Sequence, residues 1–218
     1  MQDINKLLSS IHHHPETNQE MIEKQLKARD ITSQKVLEAF QNTDRKLFVP
    51  EKYQHMAYAD MPVTIGHGQT ISQPYIVAFM TQWLDIKKDS KVLEIGAGCG
   101  YQTAILARLA DYVYSIEVIP ELIKTAKKNL KKADITNVEI FNRNGREGLP
   151  EHAKFDRIIV AAGSKDLPSQ LVIQLAEKGK MIIPVGKSHS SQDLLLITKQ
   201  NGKINKQSIL PVRFVPLI

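Results

Sequence analysis

The sequence predicts an α/β chain: a doubly wound, mostly parallel sheet preceded by amino-terminal helices and closed by a carboxyl-terminal antiparallel hairpin. Three observations carry this. From Lys91 onward, short apolar runs alternate strictly with amphipathic helical segments, the arrangement that winds a parallel sheet. One run, Val92-Leu93-Glu94-Ile95, leads into Gly96-Ala97-Gly98-Cys99-Gly100 and then a helical pattern. An open sheet builds a ligand site at the carboxyl end of a strand in this way. After Val185 the pattern changes to two strand-like runs joined by Asn201-Gly202.

Taken in order, residues 19–28 and 32–41 show helical spacing (Met21, Ile22, Leu26; Val36, Leu37, Phe40), with Asp30 and Thr32 as caps around the break. From Phe48 to Pro74 the chain reads as irregular, punctuated by Pro50, Pro62, Gly66 and Gly68. A loop that long inside a compact domain is expected to serve function. A helix with Val77, Met80, Trp83 and Leu84 on one face follows, Trp83 acting as a core anchor. Strands are expected at 92–95, 113–118, 138–141, 155–162 and 181–185, with helices near 102–109, 120–132 and 167–176. Pro120 suits the first turn of its helix. Strands at 194–198 and 209–215 form the closing hairpin. The chain is one domain, 1–218, in three segments. These are helices and a covering segment (1–75), the cofactor-binding core (76–186) and the terminal strands (187–218).

Composition narrows the class. At 218 residues, 42% hydrophobic and 24% charged, the chain has the make-up of a globular domain with a good core. No apolar run approaches the roughly 18 to 20 residues that span a bilayer, and residues 1–10 lack a secretory pattern. The single cysteine, Cys99, allows no intrachain disulfide. A cytoplasmic protein without a membrane partner is expected. The net charge of +6 invites a nucleic-acid reading. Lys124, Lys127, Lys128, Lys131 and Lys132, however, recur at helical spacing opposite Leu122, Ile123, Ala126 and Leu130. They read as a solvated helix face, so no nucleic-acid partner is expected. His12-His13-His14 has no further ligand at metal spacing, and no metal site is expected.

The glycines at 96, 98 and 100 define the cofactor by exclusion. A dinucleotide fingerprint would need glycine at 101, which is tyrosine, and no Lys-Ser/Thr pair follows to make a P-loop. A ligand without pyrophosphate remains, and S-adenosylmethionine fits. Its carboxylate can meet backbone N–H groups at the helix start, while its adenosine crosses the strand ends. Glu117 ends the next strand, where a carboxylate can accept from ribose hydroxyls. After the third strand, Asn144 in Arg143-Asn144-Gly145 offers an oxygen to the adenine amine. The candidate cofactor contacts are Glu94, Gly96, Ala97, Gly98, Gly100, Gln102, Thr103, Glu117, Val118, Asn144 and Gly145. Thr70 and Ser72 join them from the polar segment Gly68 to Tyr75, which is placed to lie over the site.

Several runs together carry a resemblance over nearly the whole length: Ile65-Gly66-His67-Gly68-Gln69-Thr70-Ile71-Ser72-Gln73-Pro74-Tyr75, Val92 to Ala104, Val113 to Glu117, Phe155-Asp156, Ile183-Pro184-Val185-Gly186 and Val212-Arg213-Phe214-Val215-Pro216-Leu217. The chain resembles the protein-L-isoaspartate O-methyltransferases, whose fold is Rossmann-like. The resemblance implies methyl transfer from S-adenosylmethionine to the stray α-carboxylate of L-isoaspartyl residues in damaged proteins, as a step in repair. It makes Ser72 the active-site serine, assigns Ile65, His67, Gln69, Val212 and Phe214 to the substrate, and implies a monomer. The stretch from Val212 to Pro216 would pair with the peptide backbone as an added strand does. Three departures stand out: Arg143-Asn144-Gly145 where the family usually has Gly-Asp-Gly, Ala161-Ala162-Gly163-Ser164-Lys165 where an alanine run and a proline are frequent, and Cys99 for a common serine.

The chemistry needs positioning more than acid–base help. A carboxylate with a pKa of about 4 is already ionised at neutral pH, so Ser72 is assigned to orient it, not to attack. A serine hydrolase is excluded because no G-x-S-x-G elbow exists. Methylation of base amino groups usually wants an Asn/Asp-Pro-Pro-Tyr-type loop after the fourth strand, and Ala162-Gly163-Ser164-Lys165 stands there instead. The alternatives are a methyltransferase for another acceptor (RNA or a small-molecule carboxylate) and, prompted by Asn144, a catalytically weak cofactor-binding protein.

Overall fold

The computed structural model describes residues 14–187 and 191–217. His12 and His13, read above for metal binding, and residues 1–10, read for a signal, lie outside the described residues.

A seven-stranded sheet runs in the order β5-β4-β3-β6-β7-β8-β9. Its strands are β3 (Lys91–Ile95), β4 (Tyr112–Glu117), β5 (Val138–Asn142), β6 (Phe155–Val160), β7 (Leu175–Val185), β8 (Gln192–Gln200) and β9 (Lys203–Val212). The strands from β3 to β7 pair in parallel; β8 and β9 are antiparallel, as the hairpin expectation required. From β3 the chain winds outward to β4 and β5, then returns to the other side of β3 as β6. That reversal opens a crevice at the carboxyl end of β3, where open α/β sheets bind ligands.

Helices cover both faces. Those used below are α1 (Asn18–Met21), α2 (Gln34–Gln41), α3 (Pro74–Leu84), α4 (Tyr101–Leu109), α5 (Pro120–Lys132) and α6 (Ser169–Gln174). On β3, Val92 faces the core under α2 to α5, whereas Leu93 and Ile95 face the opposite core with Ile116, Phe155 and Ile158. On α5 the lysines are exposed and Leu122, Ile123, Ala126 and Leu130 are buried, which is the solvated face the spacing predicts.

The differences have local causes. The helix expected at 19–28 begins as α1, with Thr17 Oγ1 accepting from Glu20 N–H at 3.1 Å, and continues as a π-helix over Ile22–Lys27. The segment read as irregular holds 3₁₀ turns at Arg45–Phe48 and Glu51–Met56 and a small hairpin, β1 (Val63–Gly66) with β2 (Gln69–Ile71). Strands of four and three residues are too short to show a period of two. Trp83 packs against the core but stays partly exposed; Val77, Phe79, Met80 and Leu84 are among the buried residues of α3. The helix read at 167–176 shrinks to α6, because Leu175, fully buried, leaves it to pair with Phe155. The last strand ends at Val212, not 215, and residues 213–217 fold back beside the loop after β6.

Candidate active site

The crevice is shaped first by the loop after β3. The N–H groups of Gly96 and Ala97 both donate to the Ile116 carbonyl, at 2.8 and 3.1 Å, locking the loop onto β4. Gly100 enters α4 with φ +89°; a Cβ there would meet Ala126 Cα at 3.3 Å and Leu130 Cγ at 3.2 Å. Only glycine allows both the left-handed backbone and the close approach of α5.

Two acids brace this loop. Glu94 is fully buried, and its Oε2 accepts from the hydroxyls of Thr103 and Ser115, each at 2.6 Å. Burial pushes its pKa up to about 7, although both hydroxyl bonds pull the other way. Glu117 spends its carboxylate on the backbone: Oε1 accepts from the N–H groups of Val118 and Ile119 at 2.9 and 3.0 Å, and Oε2 from Gly98 at 2.9 Å. An ionised carboxylate offers about four lone-pair sites. Three bonds leave one acceptor site on Oε2, and Glu117 lines the cavity.

That cavity holds about 880 Å³ of non-atom space, part of it open to solvent. Of the residues assigned from sequence, Gln69, Thr70, Ser72, Gly96, Ala97, Gly98, Gln102, Glu117, Val118, Gly145 and Phe214 line it. Glu94, Gly100, Thr103 and Asn144 do not. Glu94 and Thr103 bond to each other behind the loop. Asn144 is exposed, and its Oδ1 accepts from Arg146 N–H at 2.9 Å. Arg143 lines the cavity in its place, its guanidinium held by Glu151 at 2.6 Å. Gly145 is required there, because a Cβ would lie 2.3 Å from Ile95 Cγ2.

A second groove adjoins the first and takes in Pro62, Gln73, Ile76, Val212 and Arg213. Thr70, Ser72, Ala161, Phe214, Val215 and Pro216 line both. The Ser72 hydroxyl, at this junction, has no partner among the described residues. Ile65 is buried beneath Gly98 and His67 sits exposed in the hairpin turn with φ +53°, so neither lines the cavity or the groove. Cys99 lines the cavity, and burial holds its thiol up at about 11, a neutral and unreactive state at pH 7. The sequence reading placed Arg143 and Ala161 only within loops expected near the adenine and the substrate, assigned neither a contact of its own, and missed Val77 and Met80. Ala161 carries a usable signal, its place immediately after β6, since the residues just past each strand at the reversal border the crevice. The apolar residues of α3 carry no signal that separates cavity wall from core.

The site fits S-adenosylmethionine by its donor set. It offers one free acceptor position on Glu117, first-turn amides of α4 without intrahelical acceptors, and apolar walls from Ile95, Ile116 and Leu217.

The family model described as "Protein-L-isoaspartate(D-aspartate) O-methyltransferase (PCMT)" matches residues 16–218. A protein named protein-L-isoaspartate O-methyltransferase from Opitutus terrae is 52% identical over 196 residues, covering 90% of this chain and 84% of its own. One of the same name from Dictyoglomus turgidum is 50% identical over 192 residues, covering 88% and 87%. Among solved structures, a Plasmodium falciparum protein described as a putative protein-L-isoaspartate O-methyltransferase in complex with S-adenosyl-L-homocysteine superposes with a TM-score of 0.82 at 31% identity. The superposition covers 94% of this chain and 99% of that one. The chain belongs to the protein-L-isoaspartate(D-aspartate) O-methyltransferase family.

Proposed function

We propose that this chain is a repair enzyme that transfers a methyl group from S-adenosylmethionine to the free α-carboxylate of L-isoaspartyl residues in damaged proteins. The observation that carries the reading is the meeting of a cavity and an adjoining groove at six shared residues, among them Ser72, whose hydroxyl has no partner among the described residues. A cofactor on one side and a peptide on the other would touch only there.

Glu117 would hold the ribose, the start of α4 the cofactor's carboxylate, and Arg143 with Gly145 the adenine edge. Bound there, S-adenosylmethionine supplies an electrophilic methyl on a sulfonium whose leaving group is a neutral thioether. The protein's own residues then have three tasks. Ser72 O–H donates to one carboxylate oxygen and leaves the other directed at the junction. Residues 214–217 and β2 wall the cavity on two sides, where they would limit access of water to the bound methyl group. No residue need remove a proton, because the acceptor is ionised at neutral pH. The product ester carries a better leaving group than a carboxylate. The following backbone nitrogen can therefore displace methanol to close a succinimide, and ring hydrolysis returns part of it as normal aspartate without the enzyme.

The proposal takes the enzyme to act as a monomer in a reducing cytoplasm, which suits its single buried cysteine. The test is transfer of labelled methyl to matched peptides, one isoaspartyl and one aspartyl. A base-labile methyl ester on the isoaspartyl peptide alone is expected. Equal labelling of both, or labelling of neither, overturns the substrate assignment.

A further inference from the structure

Beyond β9 the chain turns back across the end of β6. There Gly163 N–H donates to Val215 O at 2.7 Å and Leu217 N–H donates to Gly163 O at 2.8 Å. One side chain fixes this turn. Gln192, 2% exposed at the start of β8, accepts from Phe214 N–H through Oε1 at 2.9 Å. Its Nε2 donates to Phe214 O at 3.4 Å. A single amide thus satisfies both backbone groups of one residue, the pairing that a neighbouring strand would otherwise supply. The space it occupies is left by a glycine: a Cβ on Gly163 would lie 2.2 Å from Gln192 Nε2. The clamped residue is one that matters, because Phe214, Val215 and Pro216 line the cavity and the groove at once.

We propose that Gln192 is a positioning residue for both substrates: its amide clamps the Phe214 backbone so that residues 213–217 form one wall shared by cofactor and peptide. An unclamped segment would have to be ordered by whichever ligand bound first, and that ligand's affinity would fall by the entropy of ordering. With the clamp in place the wall is preorganised, and occupation of either side stiffens what the other side meets. The identity of the peptide rests on the function proposed above; the clamp does not.

The test is Gln192→Met, which keeps the chain length and loses both hydrogen bonds. Expected results are rises of about tenfold in the Kd for S-adenosylhomocysteine and in the KM for an isoaspartyl peptide, the scale of losing two such bonds. The same variant should lose protection of the Phe214 and Leu217 amides against hydrogen exchange. Gly163→Ala, which displaces the amide by another route, should reproduce the pattern. Unchanged Kd and KM in both variants, with only a lower melting temperature, would make Gln192 a packing residue and overturn the inference. If the wild type methylates no isoaspartyl peptide, the proposed function fails. In that case the S-adenosylhomocysteine affinity and the amide exchange still decide for or against the clamp.

Discussion

Ser72, Glu94, Glu117 and Asn144 are all site residues by sequence, and the structure gives them four different positions. Ser72 reaches the junction with its hydroxyl unpartnered among the described residues, so Ser72→Ala should cost kcat/KM on the isoaspartyl peptide roughly 10- to 100-fold, the value of a hydrogen bond to a charged group. Calorimetry should find S-adenosylhomocysteine affinity unchanged in that variant; a parallel loss would mean the serine serves the cofactor. Glu117→Ala should do the reverse, weakening S-adenosylhomocysteine about tenfold or more. It should also lower the melting temperature, since three backbone N–H groups lose their acceptor. Asn144 points away from the cavity, so Asn144→Asp should change cofactor affinity by less than about threefold. A large gain in a direct titration would revive the view of a weakened cofactor binder.

Glu94 makes a different prediction, on stability. Its folded-state pKa of about 7 stands above the 4.5 of an ordinary glutamate. The native state therefore binds more protons than the unfolded state between those values, and stability falls as pH rises through that window. The loss by neutral pH is on the order of 3 kcal/mol relative to acid conditions. In Glu94→Gln the slope should disappear. Denaturant melts at about pH 4.5 and about pH 7.5 should show the variant gaining on the wild type at the higher pH. A constant gap between the two would show that Glu94 does not titrate in the window.

At the scale of elements, the glycine loop is a joint between β3, α4 and α5. Gly100→Ala adds a Cβ at φ +89° and presses it on Ala126 and Leu130. The expected destabilisation is about 1 to 3 kcal/mol, read by thermal melting, with S-adenosylhomocysteine affinity falling because the first turn of α4 moves. A neutral substitution would mean that α5 yields at little cost. Both the loop and the strand–helix alternation were legible in the sequence, because each rests on local rules: glycine for left-handed backbone, apolar period for burial. The β1–β2 hairpin was not legible. Its two short strands gain their order from packing Val63, Ile65 and Ile71 onto the core, which no local pattern announces.

For the whole molecule, sequence alone determined the doubly wound sheet, the class of cofactor and the order of the site's parts, because periodicity, glycine placement and acid spacing are read within a few residues. Tertiary structure decided which of those parts touch the cavity. Glu94 and Thr103 turned inward to each other, Asn144 turned out to cap Arg146, and Arg143 took its place at the wall. Side-chain direction at a strand end depends on which neighbouring element supplies a hydrogen-bond partner, and that is fixed by packing across the chain. The same holds for Gln192 and Phe214, which are 22 positions apart and meet only because β8 and the returning tail lie side by side. A shared wall between cofactor and peptide is a property of that contact, so it exists only once the sheet has closed.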